Sequence, residues 1–353
     1  MSQLVSISIS SERAASDEGL SAQRVLKLPV LVISPHTQCD CRCVMCDIWK
    51  IREAKEISAS EIEDQLSSFR EFGVQWVVFS GGEPQKNSQL FRMAGALRAE
   101  GIRVTLLTAG LLLESQADAV AASMDDIIVS LDGPPALHNS IRRVPKAFEK
   151  LMSGVAAVQR IRPDIPIRAR CTVQKLNHHA LCATVDTARQ LALTSISFLA
   201  VDAASKAYNH IDGWSADSQR RVVLDASSID VLDGEVERLI RDYKRDLESQ
   251  FVVETPAKLR RIVHHFRAAL GQLQPVSPRC NAPWVSAVID AEGELRPCFF
   301  HPSLGNIHRQ SLDEIVNGPS ALRFRKHLDI ATNPVCQGCV CSLYIAQPAL
   351  ETT

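Results

Sequence analysis

Leu28-Pro-Val-Leu-Val-Ile-Ser-Pro-His-Thr-Gln-Cys39-Asp-Cys41-Arg-Cys43-Val-Met-Cys46-Asp47 is the stretch whose reading decides the fold. Its first part is a short apolar run closed by Ser34-Pro35, the pattern of a strand buried on both faces. Its second part packs four cysteines into eight residues, and Cys39, Cys43 and Cys46 have the spacing C-x3-C-x2-C. Three thiolates that close suit a metal or an iron–sulfur cluster better than a disulfide framework. Spread over three irons of a four-iron cluster, they leave one iron open for a substrate or cofactor.

The unit of buried strand followed by a loop and a helix then repeats. Residues 58–72 read as a helix: Ser58-Ala-Ser-Glu61 is a capping box, Ile62, Leu66 and Phe69 share a face, and Gly73 ends it. Val74-Gln-Trp-Val-Val-Phe-Ser80 is the next strand, and it runs into Gly81-Gly82-Glu83-Pro84. Four more strands are expected at 102–108, 126–132, 165–173 and 194–200, with helices at 88–100, 113–124, 146–161 and 178–191. Strict β-then-α order predicts parallel strands with right-handed crossovers. Six units fall short of a closed eight-stranded barrel, so a doubly wound sheet and a partial barrel both fit. Either places ligands at the C-terminal ends of the strands. The cysteine loop, Gly81–Pro84 and Ser130-Leu-Asp-Gly133 all fall at such ends.

Composition bounds the function class. The 353 residues are 46% hydrophobic and 22% charged with a net charge of −1, which suits a globular domain and points to no nucleic-acid or anionic-membrane partner. No apolar run approaches the roughly 18 residues of a membrane span. Residues 1–28 read as a serine-rich tail and lead-in without a signal-peptide core. Eleven cysteines without an export signal indicate a reducing, cytoplasmic location. Residues 203–228 lose the pattern and read as an exposed connection. The charged helix expected at 230–250 and the Arg- and His-rich one at 256–270 read as solvated linkers, giving a helical region at 203–275. Residues 276–353 differ in character: short strands, turns and five cysteines.

Cys39-x3-Cys43-x2-Cys46, Gly81-Gly82-Glu83-Pro84 and Ser130-Leu-Asp-Gly-Pro-Pro-Ala-Leu-His138-Asn-Ser-Ile-Arg142 together resemble the radical S-adenosylmethionine (radical SAM) enzymes, over a core at 29–202. The resemblance implies a partial (β/α)6 barrel. It implies that Cys39, Cys43 and Cys46 hold a [4Fe-4S] cluster whose open iron chelates SAM, and that reductive cleavage yields a 5′-deoxyadenosyl radical. The same resemblance assigns Gly81, Gly82, Glu83 and Pro84 to the methionine moiety of SAM, with Glu83 accepting a hydrogen bond from its ammonium. Ser130 and Asp132 would meet ribose hydroxyls or substrate, and a flavodoxin- or ferredoxin-type reductant would supply the electron. Two features depart from the pattern: Cys41 lies between the ligands, and Met45 stands where many relatives carry an aromatic residue.

Cys280-x12-Gly293-x4-Cys298, followed by Cys336-x2-Cys339, is similar to the SPASM domain or its shorter Twitch form. A hairpin turning at Glu292-Gly293 would present Cys298. The resemblance implies one auxiliary [4Fe-4S] cluster on Cys280, Cys298, Cys336 and Cys339, with Cys341 an alternative or spare ligand; spacing alone also admits a four-cysteine zinc site. The expected activity is hydrogen abstraction from a small molecule such as a sugar or aminoglycoside, leading to oxidation or, with Cys171 as hydrogen donor, to epimerisation. The alternatives are a maturase acting on a ribosomally made peptide and a non-catalytic iron–sulfur or zinc protein.

Overall fold

A computed structural model describes residues 23–346 of the chain. Six parallel strands lie side by side in sequence order: β1 (Val30–Ile33), β2 (Trp76–Phe79), β3 (Arg103–Thr108), β4 (Asp126–Ser130), β5 (Ile167–Val173) and β6 (Ser195–Ala200). The sheet does not close: β6 forms one end, and on the other side β1 pairs in parallel with β7 (Ser286–Ile289). β8 (Glu294–Arg296) and β9 (Gly305–Asn306) extend the sheet antiparallel, with Gly293 turning the hairpin at φ +76°. The partial barrel is therefore the architecture, and the cysteine-rich C-terminal region continues its sheet through β7.

Alternation along the strands separates two surfaces. Leu31, Ile33, Val77, Phe79, Val104, Leu106, Ile127, Val129, Ile167, Ala169, Ile196 and Phe198 join one apolar core with the helices. The opposite, concave face carries Thr105, Asp126, Arg168, Arg170, Thr172 and Ser197, the register setting Arg170 beside Ser197. Parallel strands packed on both sides are usually apolar throughout, so a polar inner face marks an interior that holds ligands. Its floor is filled by Asp126, which is fully buried and pairs with Arg168 (2.7 Å) and Arg103 (2.6 Å).

The remaining chain departs from the sequence reading in four places. The helix expected at 58–72 breaks at Asp64 and Gln65 into Ala59–Glu63 and Leu66–Glu71. An additional helix, Pro135–Arg142, follows β4. The charged helix is also two, Ala226–Asp242 and Lys244–Glu248, and Pro256–Ala269 buries Leu259, Ile262, Val263 and Phe266. These are not solvated linkers. Ile196 N donates to Phe251 O (2.7 Å) and Val253 N to Ile196 O (3.0 Å), so this region caps the free edge of β6, which would otherwise expose unpaired backbone groups. Lastly, residues 203–215 are not an exposed connection but a strap that hydrogen-bonds to the cysteine loop at Asp47.

Candidate active site

The glycine loop after β2 and the cysteine loop after β1 are built as one unit. Gly82 N donates to His36 O (3.3 Å) and Glu83 N to Gln38 O (2.8 Å), the residue before Cys39. A Cβ on Gly82 would lie 2.3 Å from Gln38 O, so only glycine lets the two loops approach. Glu83 is buried, and its carboxylate accepts from Ala109 N (2.9 Å), Thr108 Oγ1 (2.9 Å) and Gln85 N (3.3 Å). It therefore staples the end of β2 to the end of β3. Burial outweighs these donors and pushes its carboxyl up to about 7. Pro84 is buried and opens a short helical turn.

The cysteine loop is gripped from the other side by the helix Pro135–Arg142. Arg42 N donates to Arg142 O (3.0 Å) and Val44 N to Ile141 O (3.1 Å). Arg142 is buried; its Nη1 donates to Cys43 Sγ (3.6 Å) and its Nη2 lies 2.7 Å from Asp132 Oδ2. Asp132 Oδ1 accepts from Thr172 N (3.1 Å), and its backbone N donates to His138 Nδ1 (3.3 Å). Asp132 is fully buried. Its placement is that of an anchor for Arg142 rather than of a group facing a ribose, whereas Ser130 stands half-buried on the concave face. Burial first, then the Arg142 charge, holds the His138 imidazole down at about 4, so it stays neutral. Arg142 is the site residue the sequence reading left without a role; its only signal was its position at the end of the motif.

Cys39, Cys41, Cys43 and Cys46 gather in one small cluster with Ala109 and Met45. The Cys41 thiol hydrogen-bonds to Cys39 and Cys43, which pushes its own titration up. That hydrogen bond and the Arg142 charge draw Cys43 down to about 7 against burial. Such a thiolate is ready to ligate. Gln174 Nε2 donates to Met45 Sδ (3.4 Å), tying the loop to the end of β5.

The strap at 203–215 covers this loop. Asp47 N donates to Tyr208 O (3.1 Å), Asn209 Nδ2 to Asp47 O (2.9 Å), and His210 Nδ1 lies 3.5 Å from the Asp47 carboxylate. His210 stacks on Trp214 at 3.8 Å between centroids. The Tyr208 phenol is pushed up by burial, then by the negative charges of Cys341, Asp202 and Cys46. One side chain thus lies within the fields of both cysteine groups.

The C-terminal cysteines converge in turn. Cys298 and Cys339 are raised by burial and by Cys280 and Cys341 nearby, and Cys336 is raised to about 11 by burial first and then by Cys298 and Cys280. Cys336 Sγ lies 3.5 Å from His301 Nε2, and Cys339 Sγ donates to Cys341 O (3.3 Å). Among the described residues, no three His, Cys, Asp or Glu side chains converge tightly enough to hold a single metal ion. A four-iron cube takes each thiolate on a separate iron, and the loop bearing Cys39, Cys43 and Cys46 supplies that all-sulfur donor set.

Cys171 lies on β5 among Ile167, Ala169 and Val173, buried against the helices, with its sulfur accepting from Asn177 Nδ2 (3.5 Å). Burial pushes its thiol well up. The alternation puts Arg170 and Thr172, not Cys171, on the concave face, so the position does not suit the hydrogen donor expected there.

A cleft opens between the rim of β5 and β6, the helix Pro256–Ala269 and the C-terminal cysteines. Arg170, Ser197, Glu254, Lys258, Arg261 and His265 line it, together with Cys339 and Cys341.

This open parallel barrel, with a cysteine loop at β1 and a glycine loop at β2 on one rim, is the fold of the radical SAM enzymes. Residues 33–173 match the Radical SAM superfamily and residues 280–340 the SPASM iron-sulfur cluster-binding domain. The chain belongs to that superfamily and carries its auxiliary-cluster domain, so its cofactors are SAM, a SAM-cleaving [4Fe-4S] cluster and an auxiliary [4Fe-4S] cluster. It is 26% identical to the AdoMet-dependent heme synthase of Methanosarcina barkeri (strain Fusaro) over 87% of this chain and 90% of that protein. It is 27% identical to the Fe-coproporphyrin III synthase of the same organism, over 49% of this chain but 44% of that one. Among solved structures, Streptococcus suis SuiB bound to S-adenosylmethionine superposes with a TM-score of 0.63 at 16% identity, covering 91% of this chain and 74% of SuiB, a likeness of fold. No helix among the described residues is long and apolar enough to cross a membrane.

Proposed function

We propose that the chain is a radical SAM oxidoreductase that removes hydrogen from a small molecule held in the cleft between β5, β6 and the C-terminal cysteines. Cys39, Cys43 and Cys46 hold the SAM-cleaving cluster, and Cys280, Cys298, Cys336 and Cys339 the auxiliary one. With these groups bound, the first supplies the 5′-deoxyadenosyl radical that abstracts a hydrogen atom, and the second accepts the electron that the substrate gives up with a proton. The chain's own residues hold and shield. Gly81, Gly82 and Pro84 shape the loop for the methionine moiety. Glu83 braces that loop from beneath with one lone pair to spare for the ammonium, and Ser130 faces the ribose or substrate. The strap at 203–215 roofs the cysteine loop against water.

One observation carries the reading toward oxidation: Cys339 and Cys341 line the same cleft as the β5 and β6 rim, where substrate would sit. Cys171, turned to the helices, does not suit the hydrogen return that epimerisation through that thiol needs. The near full-length similarity to a heme synthase supports a substrate of the heme-precursor kind. A polycationic aminoglycoside suits a cleft walled by Arg170, Lys258 and Arg261 poorly.

Anaerobic reconstitution followed by SAM and dithionite tests this. About eight irons per chain and release of 5′-deoxyadenosine are expected. With substrate, the product should be lighter by two hydrogens and carry no solvent deuterium at the reacting carbon. Tightly bound zinc without SAM cleavage refutes the enzyme assignment. A product of unchanged formula that carries one solvent deuteron refutes oxidation in favour of epimerisation.

A further inference from the structure

The helix Pro256–Ala269 carries basic residues on two faces, and the structure treats the faces differently. Arg260 and Arg267 are paired with Glu237, Asp230 and Asp233 of the neighbouring helix Ala226–Asp242. Lys258, Arg261 and His265, spaced three and four residues apart and so on one stripe, face the cleft. Across from them stands Arg170 on the concave face of β5. Among the described residues, none of Arg170, Lys258 and Arg261 forms an ion pair.

Their hydrogen bonds show what remains free. Arg170 Nε donates to Ser197 Oγ (3.3 Å), which orients the guanidinium and leaves both Nη groups without a protein partner among the described residues. Arg261 donates one bond, to Cys339 O (3.0 Å), so its charge also serves the cysteine loop. Arg170 and Lys258 make no bond to that loop. The one carboxyl on the cleft wall, Glu254, is buried and spends an oxygen on Phe198 N (2.9 Å); burial pushes it up to about 7 against the Lys258 and Arg170 charges, so near neutral pH it offsets only part of one positive charge. Burial and the Arg261 charge keep His265 neutral. The cysteine loop on the same wall is served by Arg261, which leaves the two free Nη groups of Arg170 and the Lys258 ammonium without an anionic partner in an ion pair among the described residues, and a guanidinium with two free Nη groups is matched by a carboxylate or phosphate.

We propose that Arg170, Lys258 and Arg261 form an anion clamp that seizes an acidic group, carboxylate or phosphate, of the substrate and so fixes which carbon faces the SAM-cleaving loop. The assignment rests on the reading that substrate occupies this cleft. It extends that reading by giving substrate recognition to residues that the motifs do not contain.

The test is calorimetric titration of the reconstituted, unreduced full chain with glutarate, as a dicarboxylate, and with glycerol 2-phosphate. At least one should bind, and which one binds tells the carboxylate from the phosphate. The Arg170→Gln/Lys258→Gln double variant should weaken that binding about tenfold per lost contact. Arg260→Gln, on the paired face of the same helix, should leave it unchanged. Iron content and thermal melting establish that each variant is folded. Absence of binding by the wild-type chain at millimolar anion overturns the clamp, as does equal binding by a folded double variant. No electron is supplied, so the outcome is independent of whether the chain cleaves SAM: a protein that releases 5′-deoxyadenosine but binds neither anion loses the clamp and keeps the proposed function.

Discussion

Replacing Gly82 by alanine puts the joint between the two loops to the sharpest test. The new Cβ would lie 2.3 Å from Gln38 O, 2.8 Å from Gln38 C and 2.9 Å from His36 O, all backbone atoms that no rotamer change can move. Restoring ordinary contact requires the loops to part by about 1 Å. That separation breaks or weakens Gly82 N to His36 O and Glu83 N to Gln38 O. Two hydrogen bonds at about 1 kcal/mol each, with overpacking of about 1–3 kcal/mol, put the cost at about 3–5 kcal/mol. Part of this is relieved by displacing Gln38, which carries Cys39 with it. We therefore expect the variant to lose iron selectively, falling from about eight to about four per chain on reconstitution, and to lose 5′-deoxyadenosine formation. Iron and sulfide assays with a urea unfolding curve measure both effects. Gly95→Ala is the control: nothing lies within 4 Å of its Cβ, and in the helix Leu90–Ala99 it should be neutral or stabilising by up to about 1 kcal/mol. A Gly82→Ala protein with full iron, wild-type SAM cleavage and an unshifted unfolding curve refutes the geometry on which the site rests.

Three other outcomes follow from the site. Arg142→Lys keeps a charge for the buried Asp132 but removes the bond to Cys43 Sγ; the reduction potential of the SAM-cleaving cluster should fall by tens of millivolts in an EPR-monitored titration, and an unchanged potential counts against the contact. Cys336→Ala should lose about four irons yet still cleave SAM with dithionite, whereas full retention of iron removes the auxiliary cluster from this position. Glu254 titrates at about 7 in the folded chain against an ordinary 4.5, so between those values the unfolded chain loses the proton first and stability falls as pH rises, by up to about 3 kcal/mol. Glu254→Gln should remove that term: its unfolding free energy relative to wild type should climb from pH 4.5 to 7.5 and then level, and a flat difference would show that the carboxyl is not held neutral.

The amino-acid sequence by itself determined much of what is carried by neighbours along the chain, though not the break at Asp64 and Gln65 or the helix Pro135–Arg142. The three-cysteine spacing, the glycine pair, the hairpin at Gly293 and the six buried strands depend on covalent adjacency or on short periodicities, and all appear where the sequence places them. Tertiary structure alone decided the contacts between distant residues. Arg142 reaches Cys43 across 99 positions because the helix after β4 folds back on the loop after β1, and no local pattern records that return. It turned Asp132 inward and Cys171 toward the helices. A strand's alternation names two faces, but only packing says which of them meets the ligand. The basic helix shows the same limit. Its sequence lists charges on both sides, and only the position of Asp230, Asp233 and Glu237 decides which are neutralised and which are left facing the cleft. Long-range pairing of charge is a property of the assembled layers, because the energy of each ion depends on what is brought within a few ångströms of it rather than on what precedes it in the chain.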